Sequence, residues 1–315
     1  MIHPKRRRWS IHADLRTQPP LGFRMSADFR PQKRLDRPPA EPGSAMELPV
    51  LSTQTRPSAK PHLLRVLSVN DDPSRGALAA DPPLAPTDEL LAELANASAE
   101  LESATPSEIL RWAVDRFAPH FTMATAFGPE GMTIIHLLSQ IAPETPIFNL
   151  ETGYQFQETL DLRERVRQRY GITVEYKYPE LTVAQYEAKH GGPVYKTNPN
   201  QCCFDRKLKV LHEAARGKHA WASAIRRDQS PDRARAPIVG WDRKFQLVKI
   251  SPLANWTKND VWSLITKEDI PYNPLHDRGY PSVGCEPCTR AVGIGEDERA
   301  GRWSGFQKTE CGLHN

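Results

Sequence analysis

Short apolar segments that alternate with helical segments constrain the fold of this 315-residue chain more than any other feature of its sequence. Five apolar runs are predicted strands, at residues 121–127, 146–150, 172–178, 220–225 and 247–250. Helical patterns lie between them, for example over residues 132–141, in the charged segment that ends near Tyr170 and over residues 208–215. Thr105-Pro106-Ser107-Glu108 has a capping-box pattern that predicts the start of a helix, and Thr257-Lys258-Asn259-Asp260 predicts the start of another. Because such alternation is typical of βαβ units, the sequence predicts an α/β protein with a parallel sheet and flanking helices.

Two turns lie where the predicted sheet would bind a ligand, since parallel sheets bind ligands beyond the carboxyl ends of their strands. Residues 126–131 join the first strand to a helix, and their backbone N–H groups predict a nucleotide or phosphate site that includes Phe127 and Gly128. A plain turn is the alternative. The second turn follows the strand at residues 146–150 and contains Thr152 and Gly153.

Residues 1–86 differ in composition from the rest of the chain. They contain 14 of the 29 prolines and few periodic apolar positions, so they cannot bury enough surface to offset their ordering entropy. We expect a disordered extension over residues 1–86, an α/β domain over residues 87–300 and a mobile C-terminal segment over residues 301–315. The extension carries a net charge of +6 and the remainder −2, so the charge balance gives no case for nucleic-acid binding.

The sequence predicts no membrane association and no export. It contains no run of about 18 apolar residues, and no apolar region follows the basic start. We therefore expect a cytoplasmic protein, in which paired cysteines are metal ligands or redox groups more often than disulfides. An organelle transit peptide is an alternative for the first segment, although its acidic residues disfavour it.

Four of the five cysteines form two closely spaced pairs, Cys202-Cys203 and Cys285-x-x-Cys288. Thiolate ligands favour zinc or iron–sulfur centres. A cluster with several iron corners accommodates adjacent ligands more easily than a single zinc ion does. The pattern favours an iron–sulfur cluster, with a structural zinc site and two unrelated pairs of buried cysteines as the alternatives.

The fifth cysteine, Cys311, lies four positions before the last residue, with Lys308 and His314 nearby. A thiol acts as a nucleophile in its thiolate form, which neighbouring cations favour. Cys311 is therefore a candidate nucleophile on a segment that can move, and an incidental exposed thiol is the alternative. Several cations are candidates for binding a phosphate or sulfate group, because arginine contacts such oxygens in pairs: Lys207, Arg226, Arg227, Arg233, Arg299 and Arg302.

Four strings together resemble the assimilatory adenylyl-sulfate (APS) reductases, within the phosphoadenylyl-sulfate/adenylyl-sulfate reductase family. They are Cys202-Cys203-x-x-Arg206-Lys207, Arg226-Arg227-Asp228-Gln229-Ser230, Gly284-Cys285-Glu286-Pro287-Cys288-Thr289-Arg290 and Glu310-Cys311-Gly312-Leu313-His314. The turn Glu151-Thr152-Gly153-Tyr154 is similar to the family's Asp-Thr-Gly-Tyr turn. The resemblance covers roughly residues 105–315 and leaves residues 1–86 without a counterpart.

The resemblance implies an adenine-nucleotide α-hydrolase-like (Rossmann-like) sheet and thioredoxin-dependent reduction of APS to sulfite and AMP, through a Cys S-sulfonate, in cysteine biosynthesis. It implies Cys311 as the nucleophile. Among the substrate-binding cations, Arg235 is close enough to Arg233 to replace it. The implied ligands of a 4Fe-4S cluster are Cys202, Cys203, Cys285 and Cys288, and the implied substrate-binding cations are Lys207, Arg233, Arg299 and Arg302.

Two positions depart from the family pattern. Ala126 stands where relatives often have serine, so a side-chain hydroxyl is missing while backbone contacts survive. Glu151 stands where aspartate is commoner, which keeps the carboxylate and adds a methylene.

Three other functions compete with APS reduction. A phosphoadenylyl-sulfate (PAPS) reductase, or an enzyme that uses both nucleotides, is the nearest; members specific for PAPS generally lack the four cluster cysteines. An ATP-pyrophosphatase-type ligase would need a Ser-Gly-Gly-x-Asp-Ser-like loop, which residues 126–131 do not supply. A non-catalytic zinc-binding module that binds nucleic acid is disfavoured by the near-neutral folded region. The sequence leaves open whether the protein is a homo-oligomer.

Overall fold

Six strands form one sheet in the part of the chain that the structure describes. They are β1 (Phe121–Thr125), β2 (Ile147–Leu150), β3 (Glu175–Lys177), β4 (Ala220–Ala222), β5 (Val239–Asp242) and β6 (Leu247–Ile250), in the spatial order β3-β2-β1-β4-β6-β5. β1 pairs in parallel with β2 and β4, so that Met123 lies opposite both Ile147 and Ala222. The predicted parallel sheet is confirmed for five strands.

β5 is the one strand of this sheet that the sequence did not predict. It pairs antiparallel with β6, with Val239 opposite Ile250, and forms an edge of the sheet. Gly240 interrupts its apolar pattern, and a glycine inside a strand weakens the usual signal. The sheet is therefore mixed rather than wholly parallel.

The computed structural model describes residues 82–308 and 310–312. The predicted extension over residues 1–86 lies almost entirely outside the described residues. Thr309 and residues 313–315, which belong to the predicted C-terminal segment, lie outside them as well. None of the helices in the described ranges has both the length and the apolar character that a membrane span requires.

Helices pack on both faces of the sheet because successive strand residues point to opposite faces. In β4, for example, Ala220 and Ala222 join the larger apolar cluster, whereas Trp221 joins the smaller one. The larger cluster contains residues of α1, α2, α3, α4 and α9, and the smaller contains residues of α8. The described α-helices are α1 (Asp88–Glu100), α2 (Pro106–Phe117), α3 (Pro129–Ile141), α4 (Gln157–Tyr170), α5 (Val183–His190), α6 (Val194–Thr197), α7 (Pro199–Cys203), α8 (Lys209–Ala215) and α9 (Lys258–Lys267).

Capping residues fix where two of the predicted helices begin. Thr105 and Glu108 form a reciprocal capping box at α2, and Thr257 and Asp260 form one at α9. Each box satisfies two backbone donors that the first helical turn leaves without partners. Both boxes are at the sequence positions that predict them.

One long helical segment carries the adjacent cysteines. α7 ends at Cys203, a single π-helical turn spans Phe204–Leu208, and α8 continues from Lys209. The sequence predicted a helix only from Leu208 onward. The segment begins earlier because Asn198 caps it, accepting a hydrogen bond from Gln201 N at 3.0 Å, and Pro199 occupies its first turn.

Candidate functional site

A cleft of about 230 Å³ opens at the carboxyl edge of the sheet. The chain runs from β1 through β2 to β3 on one side of β1 and then crosses from β3 to β4 on the other side, so the loops that follow β1 and β4 lead in opposite directions and leave a crevice. Its walls come from the turn at the start of α3, from the turn after β2, from the segment after β4 and from the region around residues 281–285. This is the edge that the sequence predicts for ligand binding.

The turn after β1 has the tight geometry that its sequence requires. Phe127 has a φ of 54° and donates its N–H to Thr125 Oγ1 at 3.0 Å. A Cβ on Gly131 would lie 2.7 Å from the same Oγ1, so glycine allows the first turn of α3 to approach β1. The Phe127 side chain itself is buried in the core, and Gly128 lies in the cleft wall.

Four predicted cations line the cleft: Lys207, Arg233, Arg299 and Arg302. The ion pairs of the described residues leave Lys207 and Arg302 without a carboxylate partner. Arg226 also lines the cleft, but it pairs with Glu130 and with Asp228, the latter at 2.8 Å. The cleft therefore presents positive charge that fits an anionic ligand.

Arg233 and Arg299 converge on one carboxylate from the C-terminal segment. Oε2 of Glu310 lies 2.9 Å from Arg233 Nη2 and 3.1 Å from Arg299 Nη2. Burial lowers the pKa of Arg299, as do Arg302 and Arg233, while Glu310 opposes the shift. Arg235, the alternative to Arg233, is exposed and lies outside the cleft wall.

All four paired cysteines line one small cavity beside the cleft: Cys202, Cys203, Cys285 and Cys288. Burial and the three neighbouring thiols raise the pKa of Cys202 to about 12. Burial and the Cys285 and Cys203 thiols raise the pKa of Cys288 to about 11. The four sulfurs are thus close enough to influence one another's charge.

Four thiols are a donor set that suits a thiolate-bound metal centre, either zinc or iron–sulfur. Among the residues that the structure describes, no three His, Cys, Asp or Glu side chains converge closely enough to hold one metal ion. A tetrahedral zinc site would need four thiolates at about 2.3 Å from one centre. Four thiolates around a shared cavity are also the ligands that a cluster with several irons would require.

Four residues form the wall between the cleft and the cysteine cavity: Thr152, Lys207, Cys285 and Arg302. Thr152 Oγ1 lies 3.3 Å from Cys285 Sγ. Burial would raise the pKa of Cys285, but Lys207, the Thr152 hydroxyl and Arg302 outweigh it and lower that pKa. Burial lowers the pKa of Lys207, but the sulfurs of Cys285, Cys311 and Cys203 raise it above the ordinary value.

Cys311 lies beside the cleft and not in its wall. It borders a neighbouring open pocket with Asn200, Phe204 and Leu208. Its sulfur is near enough to act on the charges of Lys207 and Arg299, both of which line the cleft. Gly312 O accepts a hydrogen bond from Lys244 Nζ at 2.6 Å. The predicted nucleophile and the predicted substrate cations are therefore neighbours.

The structure brings together most, but not all, of the predicted site residues. Gly153 lies outside the cleft wall, and its φ of 78° serves a turn in which Glu151 Oε1 accepts the Gly153 N–H at 2.8 Å. Sequence reasoning assigned no role to Glu310 or to the buried Arg206. Arg206 donates to Thr152 O at 2.6 Å and lines the cysteine cavity. Both residues stand inside the strings that carry the family resemblance, which was the signal available.

The fold and the cleft define an α/β protein of the Rossmann-like class that presents a cationic, thiol-lined site at the carboxyl edge of its sheet. Residues 120–291 match the model of the phosphoadenosine phosphosulfate reductase domain. The chain belongs to this family, which confirms the family predicted from the sequence.

Relatives with high identity carry APS reductase names. The chain is 48% identical over 208 residues to the adenosine 5'-phosphosulfate reductase of Staphylococcus haemolyticus, covering 66% of this chain and 86% of that protein. It is 44% identical over 207 residues to adenosine 5'-phosphosulfate reductase 1 of Bacillus subtilis, covering 65% of this chain and 89% of the relative.

A solved structure supports the same fold. The chain is similar to the phosphoadenylyl-sulfate reductase of Candida auris, determined as a phosphate complex, with a TM-score of 0.58 and 28% identity. The match covers 67% of this chain and all of that chain.

Proposed function

We propose that the protein reduces APS to sulfite and AMP, with Cys311 as the nucleophile. The observation that carries this proposal is the position of Lys207. It lines the cleft and the cysteine cavity together, and the Cys311 sulfur acts on its charge. A thiol beside a cationic cleft is suited to attack an anionic electrophile bound there.

In the first step, APS binds in the cleft with its phosphosulfate facing Lys207, Arg233, Arg299 and Arg302. The Cys311 thiolate attacks the sulfur atom, a new S–S bond forms, and the bond from sulfur to the bridging oxygen breaks. AMP leaves with the electron pair of that bond, and the cations stabilise the charge on its phosphate. The product is a Cys311 S-sulfonate.

In the second step, a dithiol reductant of the thioredoxin type supplies two electrons. One of its thiolates attacks the Cys311 sulfur and releases sulfite, leaving a mixed disulfide. Its second thiol then resolves that disulfide and regenerates the Cys311 thiolate. The position of Cys311 on an open pocket outside the cleft wall supports access by such a partner.

The cavity lined by four thiols supports the proposal that a 4Fe-4S cluster is held by Cys202, Cys203, Cys285 and Cys288. When bound, the cluster supplies an electrostatic contribution beside the substrate cations. Lys207 and Arg302 form part of the wall between the cavity and the cleft, so their charges face both sites.

Two cysteine variants test this division of roles. Cys311→Ser should abolish sulfite release from APS with reduced thioredoxin while it keeps AMP binding and the iron content of anaerobically purified protein. Cys288→Ser should lose iron and visible absorption. Normal turnover by Cys311→Ser, or equal iron content in both variants, would contradict the proposal.

The alternative substrate is PAPS. The name of the Candida auris structure and the name of the matching family both contain this nucleotide. The four cysteines favour APS, because they belong to the pattern by which the sequence resembles APS reductases. Turnover measured side by side on the two nucleotides separates these functions, and a preference for PAPS would overturn the proposed substrate.

A further inference from the structure

Three residues that flank Cys311 make polar contacts with residues outside the C-terminal segment. Lys308 donates to Asn200, Gly312 accepts from Lys244, and Glu310 pairs with Arg233 and Arg299. The Glu310 contact alone among these three reaches residues of the cleft wall. The Glu310 side chain is 2% exposed, whereas Lys308 and Cys311 are partly exposed.

Two guanidinium groups, of Arg233 and Arg299, share one carboxylate oxygen of Glu310. Arg233 and Arg302 are close enough to Arg299 to disfavour its positive charge, and Oε2 of Glu310 lies between Arg233 and Arg299. Two guanidinium groups near each other in a buried site need an anion between them. The chain supplies that anion from the residue next to Cys311.

Glu310 contacts the arginines from the side of the C-terminal segment. It lines the open pocket with Cys311 and is absent from the cleft wall formed by the described residues. It uses one terminal nitrogen of Arg233, while Gln229 takes the other, and Nε of Arg233 has no partner among the described residues. Arg233 therefore keeps hydrogen-bonding capacity that Glu310 does not use.

We propose that Glu310 is a positioning residue that clamps the C-terminal segment to the substrate arginines and so places the Cys311 thiol for attack. This proposal rests on the proposed function. It adds that the position of the C-terminal segment depends on its contact with Arg233 and Arg299. A buried ion pair of this kind contributes specificity of position more than net stability. Glutamine at position 310 keeps the size of the side chain but removes the charge that holds two guanidinium groups.

The test compares Glu310→Gln with Glu310→Asp and with Glu164→Gln as a matched control. Glu164 forms an exposed carboxylate–arginine pair with Arg167 on α4, away from the cleft. Three readouts are taken on each full-length protein: alkylation of Cys311 by iodoacetamide without substrate, single-turnover formation of the Cys311 S-sulfonate from APS without reductant, and AMP affinity at equilibrium. Peptide mass spectrometry locates both adducts.

We expect Glu310→Gln to alkylate roughly 10-fold faster and to form the S-sulfonate roughly 10- to 100-fold more slowly, with AMP affinity little changed. Glu310→Asp should recover part of both rates, and Glu164→Gln should match the parent protein. Parent rates for Glu310→Gln would overturn the clamp. Tighter AMP binding with an unchanged S-sulfonation rate would also overturn it, because Glu310 would then be a competitor of the substrate.

Failure of the proposed function gives a different result. In that case the parent protein itself forms no S-sulfonate on Cys311 with APS. The alkylation comparison still decides whether Glu310 holds the segment closed.

Discussion

The hydroxyl of Thr152 lies 3.3 Å from the sulfur of Cys285 and joins the two halves of the candidate site. Thr152 follows β2 in a turn at the carboxyl edge of the sheet, and Cys285 follows a distant loop. The same hydroxyl accepts the Tyr154 N–H at 3.2 Å, so the turn and the cysteine are fixed together. Any change at this point affects both the cleft and the cysteine cavity.

Replacing Thr152 with valine should weaken the binding of an iron–sulfur cluster by the four cysteines. Valine keeps the shape of threonine but removes the hydroxyl that contacts Cys285, and loss of such outer contacts typically costs about 10- to 100-fold in metal affinity. Iron release to a chelator under anaerobic conditions measures the effect. Thr152→Ser retains the hydroxyl and should release iron at nearly the parent rate; equal rates for the valine and serine variants would refute the role.

Arg233 and Arg235 give a matched pair for substrate binding. Arg233 is buried in the cleft wall, whereas Arg235 is exposed and outside it. Arg233→Ala should weaken AMP binding by roughly 10- to 100-fold, because a hydrogen bond to a charged group contributes about 1.5–3 kcal/mol. Equilibrium dialysis measures the affinity. Arg235→Ala should bind AMP like the parent, and a comparable loss in that variant would contradict the placement of the site.

The close approach of α3 to β1 predicts the effect of a single methyl group. Gly131→Ala should lower the free energy of unfolding by about 1–3 kcal/mol, because its Cβ would lie 2.7 Å from Thr125 Oγ1. Urea denaturation measures the loss. In Gly131→Ala combined with Thr125→Ala the clash is removed, so the two effects should be non-additive by about 0.5–3 kcal/mol. Strict additivity would show that the contact carries no strain.

His136 predicts a pH dependence of stability. Burial lowers the pKa of this imidazole below 6.5; Glu268 raises it and Arg169 lowers it further. Gln140 Nε2 donates to His136 Nε2 at 3.0 Å, a contact that suits the neutral ring. As pH falls below about 6.5, the unfolded chain takes up the proton first, because the pKa of His136 is lower in the folded state. The free energy of unfolding therefore decreases until the pH reaches the folded-state pKa.

Comparison of the parent protein with His136→Gln isolates this contribution. The variant should lose part of the decrease in unfolding free energy between about pH 7 and about pH 5, because its side chain does not titrate. Urea denaturation at several pH values gives the slope. An identical slope in both proteins would assign the pH dependence to other groups.

The sequence predicts the parts of this fold that depend on local patterns. Five strands, the capping boxes at Thr105 and Thr257, and the turn before Gly131 all follow from apolar spacing and turn residues. β5 escaped prediction because it is short, contains Gly240 and is defined by its pairing with β6. The pairing of distant segments is not a local property.

The candidate site divides in the same way. Cysteine spacing predicted a shared centre for the four thiols, and the structure places them around one cavity. The ion pairs of Glu310 with Arg233 and Arg299 bridge 77 and 11 positions of sequence. No spacing rule predicts which carboxylate a distant arginine meets, since tertiary packing decides it.

The π-helical turn at Phe204–Leu208 preserves the angular setting of the adjacent cysteines although it adds a residue to the chain. Each residue of an α-helix rotates the chain by about 100°, so one residue inserted into a regular helix would turn the thiols of Cys202 and Cys203 by that angle relative to α8. The π turn accommodates one residue more than an α-helical turn, and it takes up the extra residue locally. Homologous chains that have one amino acid fewer here should thus show a regular α-helix with nearly the same angular setting of these sulfurs.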